Sequence, residues 1–192
     1  MKGLKDILAR TKLRILSRKF QMIPISLPND INKCRNVLIC LPHDQRELTV
    51  IKQLLPDLSK IFSHAEIYLM APPGSNIYAI FPRKGYRIMS PSADHITWAG
   101  LATKRYIRLL KENKYDLILD LNLEPNFLIQ SILLAFPEAV RIGRGNSLGT
   151  PYYNLEIKTK FLRDEKNIYK SIIATIQGLR SPTPAEADGN SN

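Results

Sequence analysis

Residues 115–143, YDLILDLNLEPNFLIQSILLAFPEAVRIG, constrain the fold more than any other part of the chain. Leu117, Ile118 and Leu119 form a short branched apolar run between Asp116 and Asp120, the pattern of a strand buried on both faces. Pro125 interrupts the run and fits the first turn of a helix. Phe127, Leu128, Ser131, Ile132 and Ala135 then recur at helical spacing, Pro137 closes that segment, and 139–143 reads as the next strand. Two strands separated by one helix are the unit of a parallel sheet, because parallel neighbours need a crossover of that length.

The rest of the chain repeats the alternation. A strand is expected over 36–41 (NVLICL), a polar turn at Pro42, His43, Asp44 and Gln45, and a helix over 46–62. That helix places Leu48, Ile51, Leu55, Leu58 and Phe62 on its inner face. Further strands are expected over 65–70, 86–89 and 152–157, with helices over 76–81, 97–113 and 164–179. Ile168, Ile172 and Ile176 mark one side of the last helix. The basic residues Lys104, Arg105, Arg108 and Lys111 mark the outside of the 97–113 segment. The fold class is α/β, a single Rossmann-like, doubly wound parallel sheet. The polar tail 180–192 has no means of burying apolar area and is expected to be disordered.

A hydrophobic fraction of 44% supports a real core in a chain of 192 residues, which suits one domain. No apolar run is long enough to span a bilayer, and the N-terminus lacks the pattern of a secretory signal. Cys34 and Cys40 flank or lie in one strand and read as reduced thiols, with no metal site and no cofactor expected. These features point to a cytoplasmic place.

The charge is uneven. Residues 1–35 contribute +7 of the net +11. Within them, 2–20 reads as a helix with Leu4, Ile7, Leu8, Thr11 and Ile15 on one face. Lys2, Lys5, Arg10, Lys12, Arg14, Arg18 and Lys19 supply the cations. Two readings fit, and pattern does not separate them. The helix lies on an anionic membrane, at its inner face, or it packs on the domain with a solvated basic face. Nucleic acid is the weaker partner, since no aromatic platform is interleaved with the charges. Residues 1–35 therefore read as a basic helix and linker, and 36–179 as the α/β body.

A family resemblance emerges from these residues. Tyr115-Asp116-Leu117-Ile118-Leu119-Asp120-Leu121-Asn122, an apolar helix, and Arg141-Ile142-Gly143 resemble the end of the N-terminal, acceptor-side domain of family-nine glycosyltransferases, the heptosyltransferases of lipopolysaccharide core synthesis. Phe62-Ser63-His64-Ala65-Glu66-Ile67, Pro73-Gly74 and Tyr152-Tyr153-Asn154 resemble further segments of that domain. The resemblance implies a GT-B N-domain-like fold over about 36–179 and transfer of a sugar from a sugar nucleotide such as an ADP-sugar. The donor-binding domain of such enzymes would have to come from a second domain or chain.

Carried over without a gap, the family's catalytic carboxylate falls on Glu47, and the glycine before it falls on Arg46. A longer carboxylate and a bulky cation thus stand where the family has Asp and Gly, and an adjacent Arg46 would favour the ionised form of Glu47. A shorter loop would offer His43 and Asp44 as the base pair instead. The plain structural reading makes all three polar turn and helix-start residues suited to the helix dipole. Asn122, Arg141 and Arg144 are candidates for holding substrate, although Gly143-Arg144-Gly145 is too short for a phosphate loop. The alternative to a transferase unit is a non-catalytic module that binds a membrane surface or acts as a scaffold.

Overall fold

A computed structural model describes residues 2–75, 77–81, 85–145 and 147–180. The expectation of a disordered tail falls on residues outside that set, apart from Arg180. Helix α1 (Lys2–Arg18) precedes a short helix α2 (Asn29–Asn32), where the sequence suggested only a linker. The body then alternates: β1 (Asn36–Cys40), α3 (Gln45–Ile61), β2 (Glu66–Met70), α4 (Ile77–Ile80), β3 (Arg87–Met89), α5 (Lys104–Lys111), β4 (Leu117–Asp120), α6 (Phe127–Leu133), β5 (Val140–Arg144), β6 (Leu155–Ile157) and α7 (Glu165–Gly178).

The six strands form one sheet in the order β3-β2-β1-β4-β5-β6, every pair parallel. The chain winds outward from β1 to β3, then restarts at β4 on the other side of β1. The carboxyl ends of β1 and β4 therefore flank the point where the winding reverses, the usual place for a ligand in an open α/β sheet. The side-chain alternation of strands sorts the core into two layers. Val37, Ile39, Leu117 and Leu119 pack under α3 and α7 with Leu48, Leu58, Ile168 and Ile172. Leu38, Cys40 and Ile118 pack under α5 and α6 with Tyr106, Leu110, Ile129 and Ile132. Asp116, just ahead of β4, ties the two central strands at their start: its Oδ2 accepts from the backbone N–H of Arg35 at 2.7 Å and of Asn36 at 3.0 Å.

One helix departs from expectation. The 97–113 segment is helical only from Lys104, because residues 96–103 fold back on themselves. Gly100 sits at φ +83, Ile96 and Ala102 form an antiparallel bridge, and the Leu101 N–H donates to Thr97 Oγ1. Glycine tolerates that left-handed backbone, and Thr103 then caps α5 by accepting from the Tyr106 N–H.

Helix α1 packs on the body by one side only. Its buried residues are Ala9 and Leu13, packed on Leu101 and Leu134 with Phe20, Ala99, Phe127 and Tyr152 around them. The apolar face of Leu4, Ile7, Leu8 and Ile15 is turned outward, and all four are exposed.

Candidate functional site

The loop after β1 runs through Leu41, Pro42 and His43 to Asp44, which caps α3. Asp44 Oδ1 accepts from the backbone N–H of Arg46 at 2.7 Å and of Glu47 at 3.2 Å. These bonds satisfy donors that a helix start leaves unpaired, so one carboxylate oxygen of Asp44 is committed to the helix. No hydrogen bond joins Asp44 to His43 among the described residues.

Outside the carboxyl ends of β1 and β2, this loop faces the one that follows β2. Between them lies an open crevice of about 790 Å³. His43, Asp44, Gln45 and Arg46 line one wall; Pro73, Gly74, Ser75, Ala79 and Ile80 line the other. His43 and Arg46 are exposed, and Gly74 takes the left-handed backbone at φ +73. The crevice thus offers an imidazole, a guanidinium and a carboxylate beside apolar side chains, a set able to bind hydroxyls and an anionic group.

Glu47 occupies the first turn of α3 but does not line that crevice. Its Oε2 lies 2.5 Å from the hydroxyl of Tyr169 on α7, and the same hydroxyl lies 3.0 Å from the carbonyl oxygen of Leu121 beyond β4. Glu47 is therefore drawn across the winding reversal, bracing α3 and α7 against the end of β4. Burial raises its pKa above the ordinary carboxylate range. The Tyr169 hydrogen bond opposes that shift, while Glu165, Asp44 and Glu124 add to it. The lowering expected from Arg46 does not occur, since Arg46 points into solvent and the charges around the Glu47 carboxyl are acidic.

The other candidates are held inside the body. Asp120 ends β4, wholly enclosed, with Oδ1 accepting from the backbone N–H of Asn122 at 2.9 Å and its Nδ2 at 2.8 Å. Its Oδ2 accepts from the Tyr153 hydroxyl at 2.8 Å. Burial raises the Asp120 pKa against these three bonds. Asn122 thus spends its amide on Asp120. Gly143 makes room for this cluster, because a Cβ built there would fall inside the Tyr153 ring.

Arg141 was expected to be free for substrate at a strand end, and its position corrects that. Its side chain is 0% exposed. Nη1 donates to the Phe136 carbonyl at 2.7 Å and also reaches the Pro137 and Ala139 carbonyls, while Nε donates to the Tyr152 carbonyl at 2.9 Å. The guanidinium also stacks 4.6 Å from the Phe20 ring centre. Its work is to satisfy carbonyls of the turn between α6 and β5, and burial pushes its pKa down to about 10. Arg144, the last residue of β5, is half-buried at the carboxyl edge.

Among the cations of the first helix, Lys5, Arg10, Lys12, Arg14 and Arg18 are exposed on α1, and Lys19 just beyond it; the Lys2 side chain lies outside the described residues. No described helix is long and apolar enough to cross a membrane.

Tyr169 and Tyr153 complete the polar clusters, and sequence pattern gave no sign of either role. Each sits among apolar residues, and its partner lies far away in the chain: Glu47 is 122 residues from Tyr169 and Asp120 is 33 from Tyr153.

No family model and no curated protein matches the sequence. Among solved structures, the E. coli heptosyltransferase WaaC with ADP is similar at a TM-score of 0.53 and 16% identity, over 77% of this chain and 48% of that one. The same enzyme with ADP-2-deoxy-2-fluoro heptose gives a TM-score of 0.49 and 15% identity, over 77% and 50%. At such identity the likeness is one of fold: a six-stranded parallel α/β unit of the GT-B glycosyltransferase type, spanning about half the length of WaaC.

Proposed function

We propose that the chain is the acceptor-side unit of a heptosyltransferase-like glycosyltransferase of the cell envelope, working in the cytoplasm with a donor-binding half supplied by another segment or chain. The crevice at the carboxyl ends of β1 and β2, on a fold shared with half of WaaC, carries this reading. Arg46 would hold an anionic group of a glycan acceptor, and Ser75 and Asp44 would meet its hydroxyls. His43, on the same wall, would offer a basic side chain to those hydroxyls. Glu47 would act through position, holding α3 against α7, unless donor binding releases it from Tyr169. A sugar nucleotide such as an ADP-sugar would sit mainly on the donor half.

Titrating the isotope-labelled chain with a phosphorylated envelope oligosaccharide tests the reading by amide shifts. Shifts confined to His43, Arg46, Gly74 and Ser75 are expected. Arg46→Ala should weaken binding by about tenfold or more, the usual worth of a charged hydrogen bond. Shifts elsewhere, or none at saturating glycan, would overturn the assignment. ADP added alone should bind no tighter than about millimolar. A second reading, a binding module at an anionic membrane surface, is favoured by the outward apolar stripe of α1.

A further inference from the structure

The apolar stripe of α1 faces away from the body. Leu4 and Ile7 are 63% and 61% exposed, while Ala9 and Leu13 on the opposite side are buried against Leu101 and Leu134. By the helical period, Leu4, Leu8 and Ile15 lie roughly opposite Leu13. Lys5 and Lys12 run along one border of the stripe, and Arg10 and Arg14 along the other. A helix that exists only to pack would turn its leucines inward. Here Ala9 and Leu13 alone are buried, and Leu4, Ile7, Leu8 and Ile15 stand largely in water, each forgoing part of the roughly 1.5–3 kcal/mol that full burial is worth.

The 96–103 turn adds to the same surface. Trp98 at its tip is 61% exposed. It lines a shallow groove of about 370 Å³ with Leu8, Ile15 and Ala99, and Lys12 at the rim. Gly100 and the Ile96–Ala102 bridge shape this turn and put Trp98 at its tip.

We infer that α1 and Trp98 form one two-part surface that seats the protein on an anionic lipid bilayer, with the leucine and isoleucine stripe below the headgroups and Trp98 at their level. An indole with an apolar body and one N–H donor suits that depth. The cations on both borders of the stripe select an anionic lipid surface over a second copy of this chain, whose own stripe would bring the same charges face to face.

The surface also has a place relative to the crevice. Arg10 lies 5.9 Å over the ring of Phe127, the first residue of α6 at the carboxyl edge. Phe20, beyond the other end of α1, stacks on Arg141 of β5. The first turns of α1 thus lie toward the sheet edge that bears the crevice. A membrane-held acceptor would meet that edge; this last point rests on the transferase reading, whereas the lipid surface itself does not.

Trp98 is the single tryptophan of the chain, so its fluorescence reports the contact directly. The full chain is mixed with vesicles of phosphatidylcholine containing phosphatidylglycerol, and separately with phosphatidylcholine alone. Neither carries glycan, so failure here leaves the crevice assignment standing, and failure of glycan binding leaves this one standing. Expected are co-sedimentation with the anionic vesicles, a blue shift of Trp98 emission and quenching by brominated lipid, all much weaker without phosphatidylglycerol. Ile7→Ser with Leu8→Ser, both at exposed positions, should lower partition by about tenfold or more with an unchanged circular dichroism spectrum. Three results would overturn the proposal. One is partition that the double substitution leaves intact. Another is binding with Trp98 emission unmoved, which would mark attraction by charge alone. The last is a blue shift without lipid that follows dimer formation, which would make a second copy the occupant.

Discussion

Helices α1 and α3 are each 17 residues long, and each has an apolar stripe at helical spacing, yet they are used in opposite ways. α3 buries Leu48, Ile51, Leu54, Leu55, Leu58 and Ile61 between the sheet and α7. α1 buries Ala9 and Leu13 and leaves Leu4, Ile7, Leu8 and Ile15 outside. Periodicity reveals that a helix has an apolar side; it does not reveal where the partner of that side resides. For α3 the partners are the sheet and α7, both within the body. For α1 it is not within the described chain.

Substitutions separate the two helices most sharply in stability. Leu58→Ala, at a fully buried position of α3, should cost about 2–5 kcal/mol through lost transfer energy and the cavity left behind. Leu8→Ala, the same chemical change on the outward side of α1, should stay within about 0.5 kcal/mol. Urea unfolding of both variants measures the contrast. A comparable loss at Leu8 would mean that the stripe has a partner inside the molecule, and the comparison would fail.

Leu13→Ala sharpens the contrast from the other direction. Leu13 is the large apolar side chain that α1 buries in the body, against Leu101 and Leu134. The small size of that patch puts the expected cost near the low end for such a truncation, about 2 kcal/mol. Loss should be local: amide exchange should quicken along α1 while β1, β4 and α3 keep their protection. Uniform quickening would show that α1 belongs to the cooperative core.

The same distinction explains how much of the molecule could be read in its sequence. Strand β1, the β4–α6–β5 unit and the inner face of α3 were legible because the apolar pattern of each is contained in its own short segment. The parallel α/β class and the single sheet followed from them. The 97–113 segment misled because its helical period continues through Gly100, whereas Thr103 offered a better cap and the turn before it closes through Thr97. Arg141 misled because arginine usually stays solvated. The turn after α6 supplied several carbonyls in one place, and that concentration of acceptors is visible only in three dimensions. The crevice residues His43, Asp44 and Arg46 were legible as a polar turn after the first strand. The direction of Glu47 was not, since it depends on Tyr169 at the far end of the chain.

The smallest effect concerns the Glu47–Tyr169 hydrogen bond, which among the described residues joins α3 to α7 and has no counterpart on the stripe of α1. The Tyr169 hydroxyl has one proton and two acceptors, Glu47 and the Leu121 carbonyl. That proton lies between the two, and its bond to Glu47 opposes the rise in pKa that burial causes. The net shift of Glu47 is still upward, so its folded state holds the proton more tightly than the unfolded chain does. The sign of the pH dependence follows. A carboxyl with a raised folded pKa contributes stability that is fully present below the unfolded value of about 4.5 and is lost as pH rises through the folded value. Glu47→Gln keeps an oxygen able to accept from Tyr169 and removes the titration. The wild type should therefore lose stability relative to the glutamine variant as pH climbs from about 4.5 toward neutrality. Melting temperatures of the two proteins across that range measure the difference. A wild type that gains on the variant as pH rises would show Glu47 stabilised as an anion, the arrangement that pairing with Arg46 would have produced, and α3 would then be joined to α7 by charge instead of a shared proton.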